Sequence, residues 1–105
     1  SAPVLIFDEI DTGVGGAVAD AIGRRLARLA GKVQVLAVTH APQVAARAQR
    51  HLLIEKQMVK EGAFMRTHVK PLDSAARQEE VARMLAGAQV TDEARAAASK
   101  LLSVG

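Results

Sequence analysis

Val4-Leu5-Ile6-Phe7-Asp8-Glu9 is an apolar run that closes on two adjacent acids. An unbroken apolar run suits a strand buried on both faces, as in parallel sheets. Such a strand delivers Asp8 and Glu9 to its C-terminal end, where open α/β sheets bind ligands. An aspartate there suits Mg²⁺ held through water, since this hard cation prefers oxygen ligands and keeps much of its shell. A glutamate beside it suits orienting and deprotonating a water for attack on a phosphoryl group. Successive strand residues point to opposite sides, so the two acids are expected to serve different atoms. Apolar runs ending in Asp or Glu are also common in parallel sheets, and the hexapeptide needs agreement from its surroundings.

Downstream lies Ile10-Asp11-Thr12-Gly13-Val14-Gly15-Gly16, a glycine-rich turn able to take unusual backbone angles. The spacing of Val18, Ile22, Leu26 and Leu29 predicts a helix over about Ala17 to Ala30, with Gly31 as its stop. Val33-Gln34-Val35-Leu36-Ala37-Val38 reads as a second strand, again buried on both faces, which delivers Thr39-His40. Strand, helix, strand in this order makes a parallel crossover unit, right-handed by a strong rule. Pro42 suits the first turn of a short helix reaching Ala48.

The pattern then changes. Leu52 to Val59 and Ala63 to Leu72 flank Lys60-Glu61-Gly62, which predicts a hairpin. Met65, Thr67 and Val69 alternate with Arg66, His68 and Lys70, as on a strand with one solvated face. A helix is expected from about Ser74 to Ala86, with Val81, Met84 and Leu85 as its buried stripe and Gly87 at its end. Thr91 resembles an N-cap, Asp92 and Glu93 suit a positive helix start, and the closing helix carries Leu101 and Leu102.

Composition narrows the classes. The 105 residues allow one domain with a modest core, and a hydrophobic half with a charged quarter is globular. Only Ser1-Ala2-Pro3 precede the first strand, an abrupt entry that suggests a fragment of a larger fold. With Phe7 and Phe64 as the sole aromatics, a stacking platform for unpaired bases has little support. The absence of cysteine excludes disulfides and Cys-based zinc or redox sites. No apolar run approaches the roughly 20 residues that span a bilayer, and no signal-peptide pattern opens the chain, so a cytoplasmic location without membrane contact is the default. A net charge of +3 permits acidic partners such as nucleic acid.

Asp8-Glu9 at one strand end, a flexible loop, and Thr39-His40 at the next strand end now converge. Neighbouring strands lie about 4.8 Å apart, so both tips can face one ligand. An imidazole there suits a hydrogen bond to a terminal phosphate or to the attacking water. The residues resemble known motifs. Val4 to Glu9 resembles a Walker B strand of the ABC-type ATPases, Asp11 to Gly16 resembles their D-loop, and Val38-Thr39-His40 resembles their switch histidine. Within that superfamily, three stretches are similar to the pattern of the RecN family, relatives of the SMC proteins. These are Phe7 to Gly16, Val38 to Ala46, and Arg77 to Gly87, and the resemblance runs from Val4 to about Leu102.

The resemblance implies an α/β, P-loop NTPase-like fold: the C-terminal lobe of an ABC/SMC-type ATPase head, with parallel strands, flanking helices, a β-hairpin and C-terminal helices. It implies ATP and Mg²⁺ as cofactors. Asp8 would hold Mg²⁺ through water, Glu9 would be the base or water-positioning residue, and His40 would contact the γ-phosphate. The loop from Asp11 through Gly13 to Gly16 would cross toward a second head in a homodimer, placing Asp11 and Gly13 at the nucleotide. Other implied partners are the Walker A lobe of the same head and DNA double-strand break ends, in a bacterial, nucleoid-associated setting. The chain has no Gly-x-x-x-x-Gly-Lys-Ser/Thr loop, no Ser-Gly-Gly signature upstream of the first strand and no coiled-coil heptads. Alone it is expected to bind ATP weakly and not to turn it over.

Other readings stay open. A nucleotide-binding subunit of another ABC-type ATPase and a non-catalytic dimerisation module both suit the same strands. Arg24, Arg25, Arg28 and Lys32 form a basic helical face that suits either solvent or DNA phosphates. His51 and His68 lack metal-ligand spacing.

Overall fold

The computed structural model describes residues 3–59, 64–87 and 89–103. Its elements run β1 (Val4–Asp8), α1 (Gly16–Leu29), β2 (Gln34–Val38), α2 (Pro42–Ala45), β3 (Leu52–Val59), β4 (Phe64–Pro71), α3 (Ser74–Ala86) and α4 (Asp92–Ser103). β1 and β2 pair in parallel, with Val4 opposite Gln34 and Asp8 opposite Val38. Parallel neighbours need a crossover, and α1 supplies it. β3 and β4 form the antiparallel hairpin, running from Leu52 opposite Pro71 to Val59 opposite Phe64. The turn expected at Lys60-Glu61-Gly62, with Ala63, lies outside the described residues.

The helices follow local chemistry. α3 starts where the Asp73 side chain accepts the Ala76 N–H at 2.8 Å, satisfying a donor that the first turn leaves free. Thr91 caps α4 in the same way, through the Ala94 N–H at 3.1 Å. α3 ends at Gly87, whose φ of 84° is a left-handed angle that favours glycine. α2 is a single turn ending at Ala45, shorter than the predicted helix to Ala48. The Arg77 guanidinium donates to the carbonyls of Ala45, Ala46 and Ala48 there.

Packing departs from the sequence expectation in three places, one of them β4, where all eight residues are exposed rather than those of one face alone. Between α3 and α4 the core is Val81, Ala82, Ala94 and Ala98, with Val90, Leu101 and Leu102 against it. Leu85, expected in the buried stripe, is exposed, and Ala82 takes its place because the two helices meet through alanines. The larger departure concerns the parallel strands. They are not buried on both faces: Ile6 is 69% exposed, and Val4, Leu5, Leu36 and Val38 are exposed too. Among the described residues the sheet has only these two strands, and no helix packs closely along either one.

α1 meets α2 through its small side rather than its large apolar stripe. Ala19 and Gly23 are its buried residues, set against Val44, Ala45 and Ala46. A Cβ on Gly23 would lie 2.9 Å from the Gln43 carbonyl oxygen and 3.0 Å from Arg47 Cγ. Only a residue without a side chain allows this approach. Val18, Ile22 and Leu26 instead line a shallow open cleft with Ile10 and Arg25.

Candidate functional site

β1 ends at Asp8, and the chain leaves the strand through an unusual residue. Glu9 has φ = 55°, the only positive φ among the described non-glycine residues. A left-handed glutamate is strained by its Cβ, and such residues concentrate at functional sites. Its N–H still donates to the Val38 carbonyl at 2.8 Å, so the parallel ladder runs one step past the strand. The expectation that Glu9 alternates with Asp8 as a strand residue is thereby corrected. The backbone turns at Glu9 and redirects its side chain.

That redirection brings Glu9 to His40. His40 Nε2 lies 2.8 Å from Glu9 Oε1, with the imidazole 88% and the glutamate side chain 45% exposed. Asp8 is exposed beside them. The acids at the end of β1 and the histidine beyond β2 therefore stand on one solvent-facing edge.

The loop after Glu9 folds back on itself. Thr12 N–H donates to the Glu9 carbonyl at 3.2 Å, and Val14 N–H to that of Asp11 at 3.4 Å. Gly13 takes φ = 80° in open space, so the backbone angle rather than crowding calls for glycine there. Asp11 is buried, at 8% exposure, and its Oδ2 accepts the Thr39 hydroxyl. Thr39 Oγ1 in turn accepts the Ala41 N–H at 2.9 Å. Thr12 and Gly13 are exposed.

The Thr39 hydroxyl was not foreseen. Its signal was present: a threonine two residues before the amide that opens α2, a position where hydroxyls commonly close a local turn. The other candidates fall elsewhere. Arg24 is ion-paired to Asp20 at 3.0 Å, and Asp20 also holds Arg47 at 3.2 Å. Arg25, Arg28 and Lys32 are exposed. His51 is half-buried near Arg77. Burial pushes its pKa down, Arg77 adds to that, and Glu80 opposes it. Among the described residues no group of three or more His, Asp or Glu is placed to hold a metal. No described helix is long and apolar enough to cross a membrane.

No family model matches the chain. Among curated proteins, it is 48% identical over 102 residues to the "DNA repair protein RecN" of Xylella fastidiosa. It is 53% identical over 100 residues to that of Streptomyces coelicolor, and 50% over 101 residues to that of Rickettsia felis. These matches cover 95–97% of the chain but only 17–18% of each relative. A solved structure described as "Structural biochemistry of ATP-driven dimerization and DNA stimulated activation of SMC ATPases" superposes with a TM-score of 0.65 at 16% identity. That likeness covers 84% of this chain and 51% of the other. The chain thus matches a segment of the RecN family over nearly all its length and shares its fold with about half of that solved structure.

Proposed function

We propose that this chain supplies the hydrolytic edge of an ATP site in a RecN-type DNA repair protein. The observation that carries the reading is the Glu9–His40 pair. A strained backbone turn aims a carboxylate at an imidazole beyond the neighbouring strand, and both groups remain open to solvent. Packing gains nothing from such an arrangement, whereas a terminal phosphate and its attacking water need this pairing of an acceptor with a donor. Glu9 holds the water and accepts its proton. The His40 Nε2–H, which in this structure bonds to Glu9, is the donor available to the phosphoryl oxygens.

The residues fit the cofactors. Asp8 offers exposed oxygen donors at the strand end, and no dedicated cage of ligands surrounds it among the described residues. That suits Mg²⁺, which is commonly held by one or two carboxylates, water and the phosphates of its nucleotide. The ion would supply neutralisation of phosphate charge. Asp11 and Gly13 belong to the loop that reaches toward the nucleotide of a second head. The remaining phosphate cradle comes from another part of the same head, because the chain contains no phosphate loop of its own. Hydrolysis regulates head engagement and thereby the grip on DNA. The site operates in the bacterial cytoplasm, at the nucleoid.

The test is steady-state ATP hydrolysis by the complete protein, wild type against Glu9→Gln, with Mg²⁺ and with or without DNA. Loss of turnover with retained ATP binding is the expected result. Unchanged turnover by Glu9→Gln would place the base elsewhere and end this reading.

A further inference from the structure

Beneath the solvent-facing Glu9–His40 pair lies a second, buried link between the same two segments. Asp11 follows Glu9 by two residues, and the turn joining them is closed by the Thr12 N–H on the Glu9 carbonyl. Thr39 precedes His40, and Ala41 follows it. One hydroxyl touches all three places: Thr39 Oγ1 donates to Asp11 Oδ2 and accepts from the Ala41 N–H at 2.9 Å. His40 is therefore held on both sides by an atom that is itself tied to the Glu9 loop. Asp11 is the only buried charged or polar side chain among the described residues, and its bond to Thr39 crosses from one strand's loop to the other's.

We propose that Asp11 and Thr39 are positioning residues, a buried clasp that sets the distance between the Glu9 carboxylate and the His40 imidazole. This inference rests on the ATPase reading above and assigns a positioning role to the buried Asp11 side chain and the Thr39 hydroxyl bonded to it, in addition to the place of the Asp11 loop at the interface with a second head. The exposed pair alone is poorly fixed: the His40 side chain is 88% exposed and has no packing to hold its rotamer. The orienting information must come through the backbone. The backbone on either side of His40 is pinned by the Thr39 hydroxyl, and that of Glu9 by the turn leading to Asp11. Without that hydroxyl the two segments would be joined behind the pair only by the ladder that ends at the Glu9 N–H on the Val38 carbonyl, and the tips beyond it would drift apart by fractions of an ångström. Misplacement of about 1 Å at a reacting group lowers rates by about 10²-fold.

The experiment is ATP turnover by the complete protein carrying Thr39→Val, Thr39→Ala, Thr39→Ser, Asp11→Ala, or Asp11→Ala with Thr39→Val. Thr39→Ala accompanies Thr39→Val because it removes the hydroxyl without adding bulk, so that a folding failure of one leaves the other to be read. Expected is a kcat loss of about 10- to 100-fold on removing the hydroxyl, with the KM for ATP within about twofold. Thr39→Ser, which keeps the hydroxyl, recovers most of the rate. The double variant loses no more than the worse single variant, because both break the same link. Retained kcat in Thr39→Ala, failure of Thr39→Ser to recover the rate, or multiplying losses in the double variant would each overturn the clasp. Glu9→Gln is measured alongside. If it abolishes turnover while Thr39→Ala does not, only the clasp falls; if Glu9→Gln leaves turnover intact, the ATPase assignment falls and the clasp with it.

Discussion

Replacing Gly23 by alanine sets two known effects against each other. In an isolated helix the exchange is favourable by about 1 kcal/mol, because glycine is the poorer helix former. Here the added Cβ would stand 2.9 Å from the Gln43 carbonyl oxygen, 3.0 Å from Arg47 Cγ and 3.3 Å from Val44 Cα. Two of these are backbone atoms of α2 and cannot swing aside, so α1 and α2 must separate by a few tenths of an ångström. Overpacking of this kind costs about 1–3 kcal/mol. The balance is a loss of up to about 2 kcal/mol, or up to about a 30-fold rise in local opening. Amide hydrogen exchange across α1 and α2 in the complete protein reads that quantity directly. Gly16→Ala is the companion variant, since its Cβ would meet only the movable Gln43 Nε2, at 3.2 Å. Its protection should hold or rise. Increased protection of α1 in Gly23→Ala, matching Gly16→Ala, would show that the helices are not in close contact and refute the reasoning. Because α1 follows the Glu9 loop and α2 follows His40, ATP turnover should fall with Gly23→Ala as well.

Two further outcomes follow from the same packing. Arg77→Met removes a guanidinium that donates to the carbonyls of Ala45, Ala46 and Ala48, at 3.0, 3.3 and 2.5 Å. Bonds from a charged donor contribute about 1.5–3 kcal/mol, so exchange at the end of α2 and the start of α3 should accelerate in Arg77→Met. Equal exchange in both proteins would remove Arg77 as the tie between those helices. The second outcome concerns pH. Burial and then Arg77 hold the His51 pKa below its ordinary 6.5, so the folded form binds fewer protons than the unfolded chain. Stability contributed above pH 6.5 is therefore lost as pH falls from there through the lowered folded value. The urea midpoint of the complete protein should drop between pH 7.5 and 5.5, and drop less in His51→Gln; identical slopes would contradict the assignment.

Periodicity and turn chemistry located nearly every element because those signals are local. α3 spans Ser74–Ala86 as the sequence predicts, Thr91 caps α4, and the parallel pairing of β1 with β2 follows from strand, helix, strand order. The meeting of Glu9 and His40 on one edge beside Asp8 was legible for the same reason, since both apolar runs end on the same side of the sheet. What escaped was tertiary. Hydropathy reports what a strand is suited to, not what stands on it, so the exposure of Ile6 and Val38 was hidden. The left-handed turn at Glu9 contradicts the preference of its residue type, and nothing in the spacing announces it. Gly23 carries no local signal of its own, and the closeness of α2 gives it meaning only in three dimensions. The Asp11–Thr39 bond joins residues 28 apart in the chain, beyond any local pattern.

The left-handed backbone at Glu9 sets folding and chemistry in opposition at a single codon. Glycine or asparagine would relax that conformation, which carries a penalty of about 1–2 kcal/mol for most side chains. Neither brings a carboxylate. A library sorted only for expression or heat resistance should therefore drift at position 9 toward glycine or asparagine, while one sorted for ATP consumption should keep glutamate. Position 9 would then mark where selection for a sturdier fold and selection for a working site part company.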